Sequence, residues 1–193
     1  MQLTAEQLKE ILNQPGPPQL SHADLHLVNL SRFNLHEANL FQADLSHAYM
    51  GFVNLHEANL SQADLSNANL SDADLALATL TDADLHGAIL NKANLTGAKL
   101  QNAKLNGALL ILAKLTGADL TGAVLKGADL VDADLTGAIL CNAILVKADL
   151  RGTHLSGADL SGANLREAEY SPITEWPDGF DPEAEEAILT HRL

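Results

Sequence analysis

The chain has 193 residues, a net charge of -14 and a single cysteine, with 47% hydrophobic but only 4% aromatic residues. That length suits one domain with its own core, the lone Cys141 excludes an intramolecular disulfide or a cysteine-built metal knuckle, and no apolar run approaches the roughly 18 residues of a membrane span. The acidic balance argues against direct nucleic-acid binding, which needs a basic footprint, and permits a basic protein partner.

Residues 1–20 read as an N-terminal helical cap with a lead-in turn. Thr4 followed by Gln7 fits a capping box, and Leu3 can pack on Leu8 as a hydrophobic staple. The helix is predicted over AEQLKEILNQ and stops at PGPP. Leu8, Ile11 and Leu12 then form an apolar face able to cover the first layer of the core. The opening MQLTAEQLKEILNQPG has acidic residues and no apolar core, unlike a signal peptide, so a cytoplasmic location is expected.

From 21 to 170 one pattern repeats. Leu recurs every fifth residue from Leu20 to Leu165, replaced only by Met50. Two residues before it stands Ala, except at Pro18, Val28, Phe33, Val53 and Thr153, and the residue between is usually Asp or Asn. The unit is A(D/N)Lxx, nearly pure in SQADLSNANLSDADL. A helix cannot hold it on one face, because five residues rotate by about 500° and scatter Leu around the axis. Ala and Leu two apart do share a face of an extended strand, but the next Ala comes three residues on, so the chain must turn within every unit. Four such corners close a coil of twenty residues with Ala and Leu inside. Stacked coils then bury each other's Leu layers. About 30 units make roughly 7.5 coils, a shaft about 36 Å long at ~4.8 Å per coil.

The corner position two after Leu holds Gly at 87, 97, 107, 117, 122, 127, 137, 152, 157 and 162, with Asn at 67, 102 and 142. These residues tolerate the positive φ of a type II turn. Earlier corners carry His22, Leu27, Arg32, Glu37, Gln42 and His47. Squarer coils are therefore expected after residue 86 and rounder ones before it. Phe33, in an inward Ala place, is expected to distort its coil.

Residues twenty apart should lie above one another, so surface columns can be read directly. Asp24, Asp44, Asp64 and Asp84 form an acidic ladder, continued by Lys104, Val124, Ile144 and Asn164. His36 and His56 stack beside Glu37 and Glu57, which reads as a solvated face rather than a metal site. Outward apolar residues are Ile89 over Leu109, Ile111 over Val131, and Leu112, a candidate interface; Val124 and Ile144 form a second pair. Phe41, Tyr49 and Phe52 are further exposed candidates, and Cys141 is expected at the surface.

Residues 171–193 read as a C-terminal capping segment. Trp176 and Phe180 are expected to fold over the last coil, with turns at Pro177, Asp178 and Gly179. A short helix is predicted in DPEAEEAILTHRL, with Asp181 as N-cap and Pro182 at its first position.

Tandem A(D/N)Lxx units across 21–170 resemble the pentapeptide-repeat family, and WPDGFDP resembles endings common in its cyanobacterial members. The resemblance implies an all-β solenoid, a right-handed quadrilateral β-helix. It also implies a protein partner: quinolone-resistance members bind DNA gyrase by imitating DNA, and a cyanobacterial member influences heterocyst differentiation. The gyrase-binding members often interrupt their coils with a loop, and this chain does not. No H-E-x-x-H, G-x-S-x-G or P-loop sequence occurs, and a filled tube offers no concave catalytic site. The expectation is a non-enzymatic interaction scaffold without cofactor or metal, monomeric or homodimeric. A DNA mimic acting on gyrase or another DNA-binding protein is the alternative, and an enzyme a distant third.

Overall fold

The computed structural model describes residues 5–190. Beyond a short helix α1 (Ala5–Leu12), the chain winds as stacked coils of twenty residues. Each face of each coil meets the next through one parallel residue pair, starting at Gln19 with Asn39 and running on to Asp149 with Glu169. Four columns result, so the coil has four faces. Face one contains Gln19, face two Asp24, face three Asn29 and face four Asn34, each continued by every twentieth residue.

The rungs repeat one hydrogen-bond pattern. The amide of each central Leu donates to the carbonyl of the Asp or Asn place one coil on, as in Leu65 to Asp84 at 2.7 Å. The amide at that place donates back to the carbonyl of the Ala place below, as in Asp84 to Ala63 at 3.0 Å. Every central Leu from Leu25 to Leu155, and Met50 among them, is at most 1% exposed. The interior is a column of Leu layers flanked by Ala layers. The Ala places are sized for small side chains, and the Val53 and Thr153 that replace Ala are buried there too.

The corners do not divide into a round and a square half. At every fifth residue from His22 to Glu167 the backbone φ is positive, between 54° and 69°, whether the residue is Gly, Leu or Phe. The amide of the next residue donates to the Leu carbonyl, at 3.0 Å for Ala38 and again for Ala138. The turn is the same throughout, with positive φ at its third residue. The expected difference fails because inter-coil bonds dictate the corner: the amide of Glu37 donates to His56 as the amide of Gly137 does to Ser156. Packing overrides the preference of the individual residue.

The first coil is closed from below by α1, whose Leu8 is buried, with Ile11 and Leu12 packed on the core. Leu3 and Thr4, and with them the staple and capping box, lie outside the described residues. Phe33 does not distort its coil. Its amide keeps the turn bond to Leu30 at 3.1 Å, and Asn34 still pairs with Asn54. It belongs to the lowest coil, where no Ala layer lies beneath, so its ring is 38% exposed instead of crushed.

At the other end the winding goes on past the repeats. Tyr170 takes a Leu place, and then one extra residue enters: His154 pairs with Glu175, twenty-one residues on. Hydroxyls patch the slip. Gly152 donates its amide to Ser171 Oγ at 3.1 Å, and Thr174 Oγ1 donates to the Leu150 carbonyl at 2.9 Å. Trp176 and Phe180 stack at 5.1 Å over the core, and Tyr170 meets Trp176 edge-on. The helix predicted after Pro182 is absent from the described residues. Asp181 does accept the Glu183 amide, but the segment makes turns and then a strand. That strand, β2 (Ile188–Leu189), pairs in parallel with β1 (Glu169–Tyr170). Continuing the coil satisfies β1 on its open side, which a helix there would not do.

Candidate functional site

The Asp and Asn of the repeat have a local task. Each turns its side-chain oxygen back to accept the amide two residues on, bridging the start of its corner: Asp64 from Ser66 at 2.9 Å, Asn69 from Ser71 at 3.0 Å, Asp134 from Thr136 at 2.9 Å. This is the Asx turn, which any short side chain with a carbonyl oxygen can make. The acidic ladder is therefore partly a series of corner braces. Asp24, Asp44, Asp64 and Asp84 do stack in register on face two. Partial burial raises the pKa of Asp44, but the Ser46 hydroxyl and amide, with His26 and His47 nearby, outweigh it and leave the pKa lowered. Asp84 is likewise lowered: hydrogen bonds from His86 and the charges of His86 and Lys104 overcome its burial. Lys104 Nζ sits 3.5 Å from Asp84, so the ladder ends in an ion pair.

The apolar candidates gather on face three and the corner after it. Ile89 pairs with Leu109 on the face, and Ile111 accepts the Lys92 amide on the corner. Leu109 is 37% and Leu112 48% exposed, while Ile89, Ile111 and Val131 are half-buried. Tyr49 and Phe52, read separately in the sequence, belong here too. Tyr49 lies in the face-three column two coils below Ile89, and Phe52 in the corner column that carries Leu112. They are 56% and 55% exposed, and the Arg32 guanidinium lies 4.8 Å from the Phe52 ring centre. Val124 and Ile144 pair on face two, away from this stripe, and Phe41 is half-buried with its ring edge-on to His22.

One feature missed in the sequence was present there as an interval. No carboxylate occurs between Asp84 and Asp119, whereas Lys92, Lys99, Lys104 and Lys114 all fall inside it. Wound into coils, that interval is a basic belt around the middle of an otherwise acidic shaft, and the exposed Leu109 and Leu112 lie within it. Reading single columns conceals it, since its four lysines stand in four different columns: faces one, two and four and the corner after face three.

Other candidates supply little chemistry. The His36 and His56 rings stack at 5.4 Å, each beside its own glutamate, and among the described residues no group of three or more His, Cys, Asp or Glu converges to hold a metal ion. Cys141 is half-buried, and the hydrogen bond to Asp159 raises its pKa, which makes it a poor nucleophile. A shallow depression lined by Leu112, Lys114, Asp132, Asp134, Thr136 and His154 opens beside the stripe. No helix among the described residues is long and apolar enough to cross a membrane.

A family model described as pentapeptide repeats matches in eight copies, over residues 19–51, 54–97, 78–117, 93–130, 103–140 and 133–169. Among solved structures, HetL, a pentapeptide repeat protein of the cyanobacterium Nostoc sp. strain PCC 7120 involved in regulating heterocyst differentiation, is 32% identical. The match covers 97% of this chain and 92% of that one, with a TM-score of 0.56. The Nostoc protein alr5209 is 39% identical over 53% of this chain and 84% of its own, with a TM-score of 0.52. QnrB1, a plasmid-mediated fluoroquinolone resistance protein, is 19% identical over 90% of this chain and 88% of its own; its TM-score of 0.79 speaks for the fold alone. These matches imply the right-handed sense of the β-helix. The search of curated proteins found no match.

Proposed function

Because this chain belongs to the pentapeptide-repeat family, we propose that it is a non-enzymatic, protein-binding shaft whose contact surface is face three with the corner after it. The observation that carries this reading is the gathering of Tyr49, Phe52, Leu109 and Leu112, all exposed, along one side of a chain with only 4% aromatic residues. Scattered exposed apolar residues are ordinary, but a stripe rimmed by charge is what an interface needs. The likeness to HetL over nearly the whole chain supports a regulatory role in a cyanobacterial cell, and a cytoplasmic site of action fits that role. The test is affinity capture with the native protein and a Leu109→Asp/Leu112→Asp variant of unchanged melting temperature. Partners held by the native protein and lost by the variant support the reading; identical capture by both overturns it.

A second reading rests on the acidic column of face two, where Asp44 and Asp84 stay ionised well below neutral pH. A shaft with evenly spaced carboxylates suits a DNA mimic that binds a basic protein such as gyrase. Gyrase supercoiling measured with the native protein and an Asp44→Lys/Asp64→Lys/Asp84→Lys variant discriminates. Salt-sensitive inhibition or protection lost in the variant favours mimicry, and no effect at micromolar concentration removes gyrase as the target.

A further inference from the structure

The corner after face three goes further along the shaft than any other before its first Gly. In the other three corner columns Gly first stands at Gly87, Gly97 and Gly122, although Asn142, Lys147 and Glu167 still follow. Here six successive coils carry Arg32, Phe52, Asp72, Lys92, Leu112 and Asp132, with φ between 55° and 64°, and Gly first appears at Gly152. A side chain in that conformation costs about 1–2 kcal/mol relative to right-handed backbone. All six side chains are exposed, so packing does not account for keeping them. Among the described residues neither Asp72 nor Lys92 has an ion-pair partner within the chain.

The order of these residues is self-complementary. Reversed end for end, the column places Arg32 opposite Asp132, Phe52 opposite Leu112, and Asp72 opposite Lys92. The face-three column beside it, Asn29, Tyr49, Asn69, Ile89, Leu109 and Asp129, reverses in the same register, setting Tyr49 opposite Leu109 and Asn69 opposite Ile89. Between the two columns, Gly51 comes opposite Ile111, a gap opposite a knob. A two-fold axis perpendicular to the shaft, crossing this corner between the coils of Asp72 and Lys92, performs that reversal, because it makes each column meet its own copy running the other way.

We propose that the occupant of this surface is a second copy of the chain, laid side by side and antiparallel about that axis. The proposal deepens the contact-surface reading above and rests on it. Ion pairs stand at the ends and the centre of the contact, with apolar pairs between them. The column from Arg32 to Asp132 spans five coil steps, roughly 24 Å. A contact of that height is small beside an obligate interface, so the dimer forms and dissociates with concentration. Salt weakens it, since four of the six residues in the corner column are charged.

The test uses sedimentation velocity of the full chain across concentration at low and moderate salt, with variants Asp72→Lys and Lys92→Asp. Each variant alone sets like charges against each other in a homodimer, and self-association is expected to fall about tenfold or more. An equimolar mixture of the two restores opposite charges at both contacts of a mixed dimer, so association returns. Effects within one chain cannot produce that rescue. Native protein that stays monomeric throughout, or a mixture that associates no better than its components, overturns the self-pairing. Stripe-dependent capture of another protein would in that case leave the contact surface standing with a different occupant, whereas failure of both experiments removes the surface itself.

Discussion

His154 Nδ1 lies 3.0 Å from Glu175 Oε2, joining the last regular coil to the segment beyond the one-residue slip. The hydrogen bond and charge of Glu175 raise the pKa of His154, and those of His154 lower that of Glu175. The His154 contribution to stability is complete below its ordinary value of 6.5 and fades as pH rises through the raised folded value. The Glu175 contribution is complete above its ordinary value of 4.5 and fades as pH falls through the lowered one. Both hold together between those ordinary values. Glu175→Gln is therefore expected to lower the melting temperature most between those two ordinary values and progressively less as pH rises through the raised His154 value. A pH-independent difference would show that the pair contributes no charge interaction.

The Leu interior predicts a large and uniform penalty for truncation. Leu75 and Leu95 are fully buried, and Leu→Ala at either should cost about 3–5 kcal/mol in denaturant unfolding, since stacked coils cannot collapse into the hole. Ala98→Leu should cost at least about 1–3 kcal/mol for the opposite reason, overfilling a layer sized for a methyl group.

The corners predict an unusual gain from removing a side chain. Leu27 has φ 60° and is more than half exposed. Leu27→Gly relieves the left-handed strain while adding chain entropy to the unfolded state, for a net stabilisation of up to about 1 kcal/mol. Gly127→Leu, in the same corner column, should destabilise by a similar amount. Melting temperatures of the two variants moving in the same direction would refute this account of the turn.

The corner braces separate charge from hydrogen bonding. Asp64→Asn keeps an oxygen to accept the Ser66 amide and should leave stability nearly unchanged, whereas Asp64→Ala loses it and should cost about 0.5–1.5 kcal/mol. Asp119 and Asp134, partly buried yet lowered in pKa by the hydroxyls and amides of Thr121 and Thr136, lose their contribution as pH falls through their folded values. Acid unfolding followed by circular dichroism should therefore shift to higher pH when Thr121 or Thr136 is replaced by Ala.

Much of this structure was legible in the residues because a strict period carries both facing and spacing: Ala and Leu two apart had to turn inward, and residues twenty apart had to stack. What escaped were effects that no single pentapeptide contains. The positive φ at His22 and Leu27 is set by bonds to Phe41 and Ser46 one coil on, so local preference misjudged those corners. The strand at Ile188 runs against its local signals: Asp181 and Pro182 are sound helix-start residues, outweighed by the unpaired edge of β1. Tyr49 and Phe52 stood in the sequence as exposed candidates apart from Leu109 and Leu112, because the polar Asn69 and Asp72 and the charged Lys92 interrupt the columns that join them.

The twenty-residue coil makes the molecule a ruler as well as a rod. Gaining or losing one coil shifts everything beyond it by a single step of about 4.8 Å, with every residue kept on its own face and the layered interior unchanged. The distance between two marks on its side can thus change in discrete increments while both marks stay on the same face. Evolution can slide Tyr49 relative to Leu109 without renegotiating a single layer of Leu.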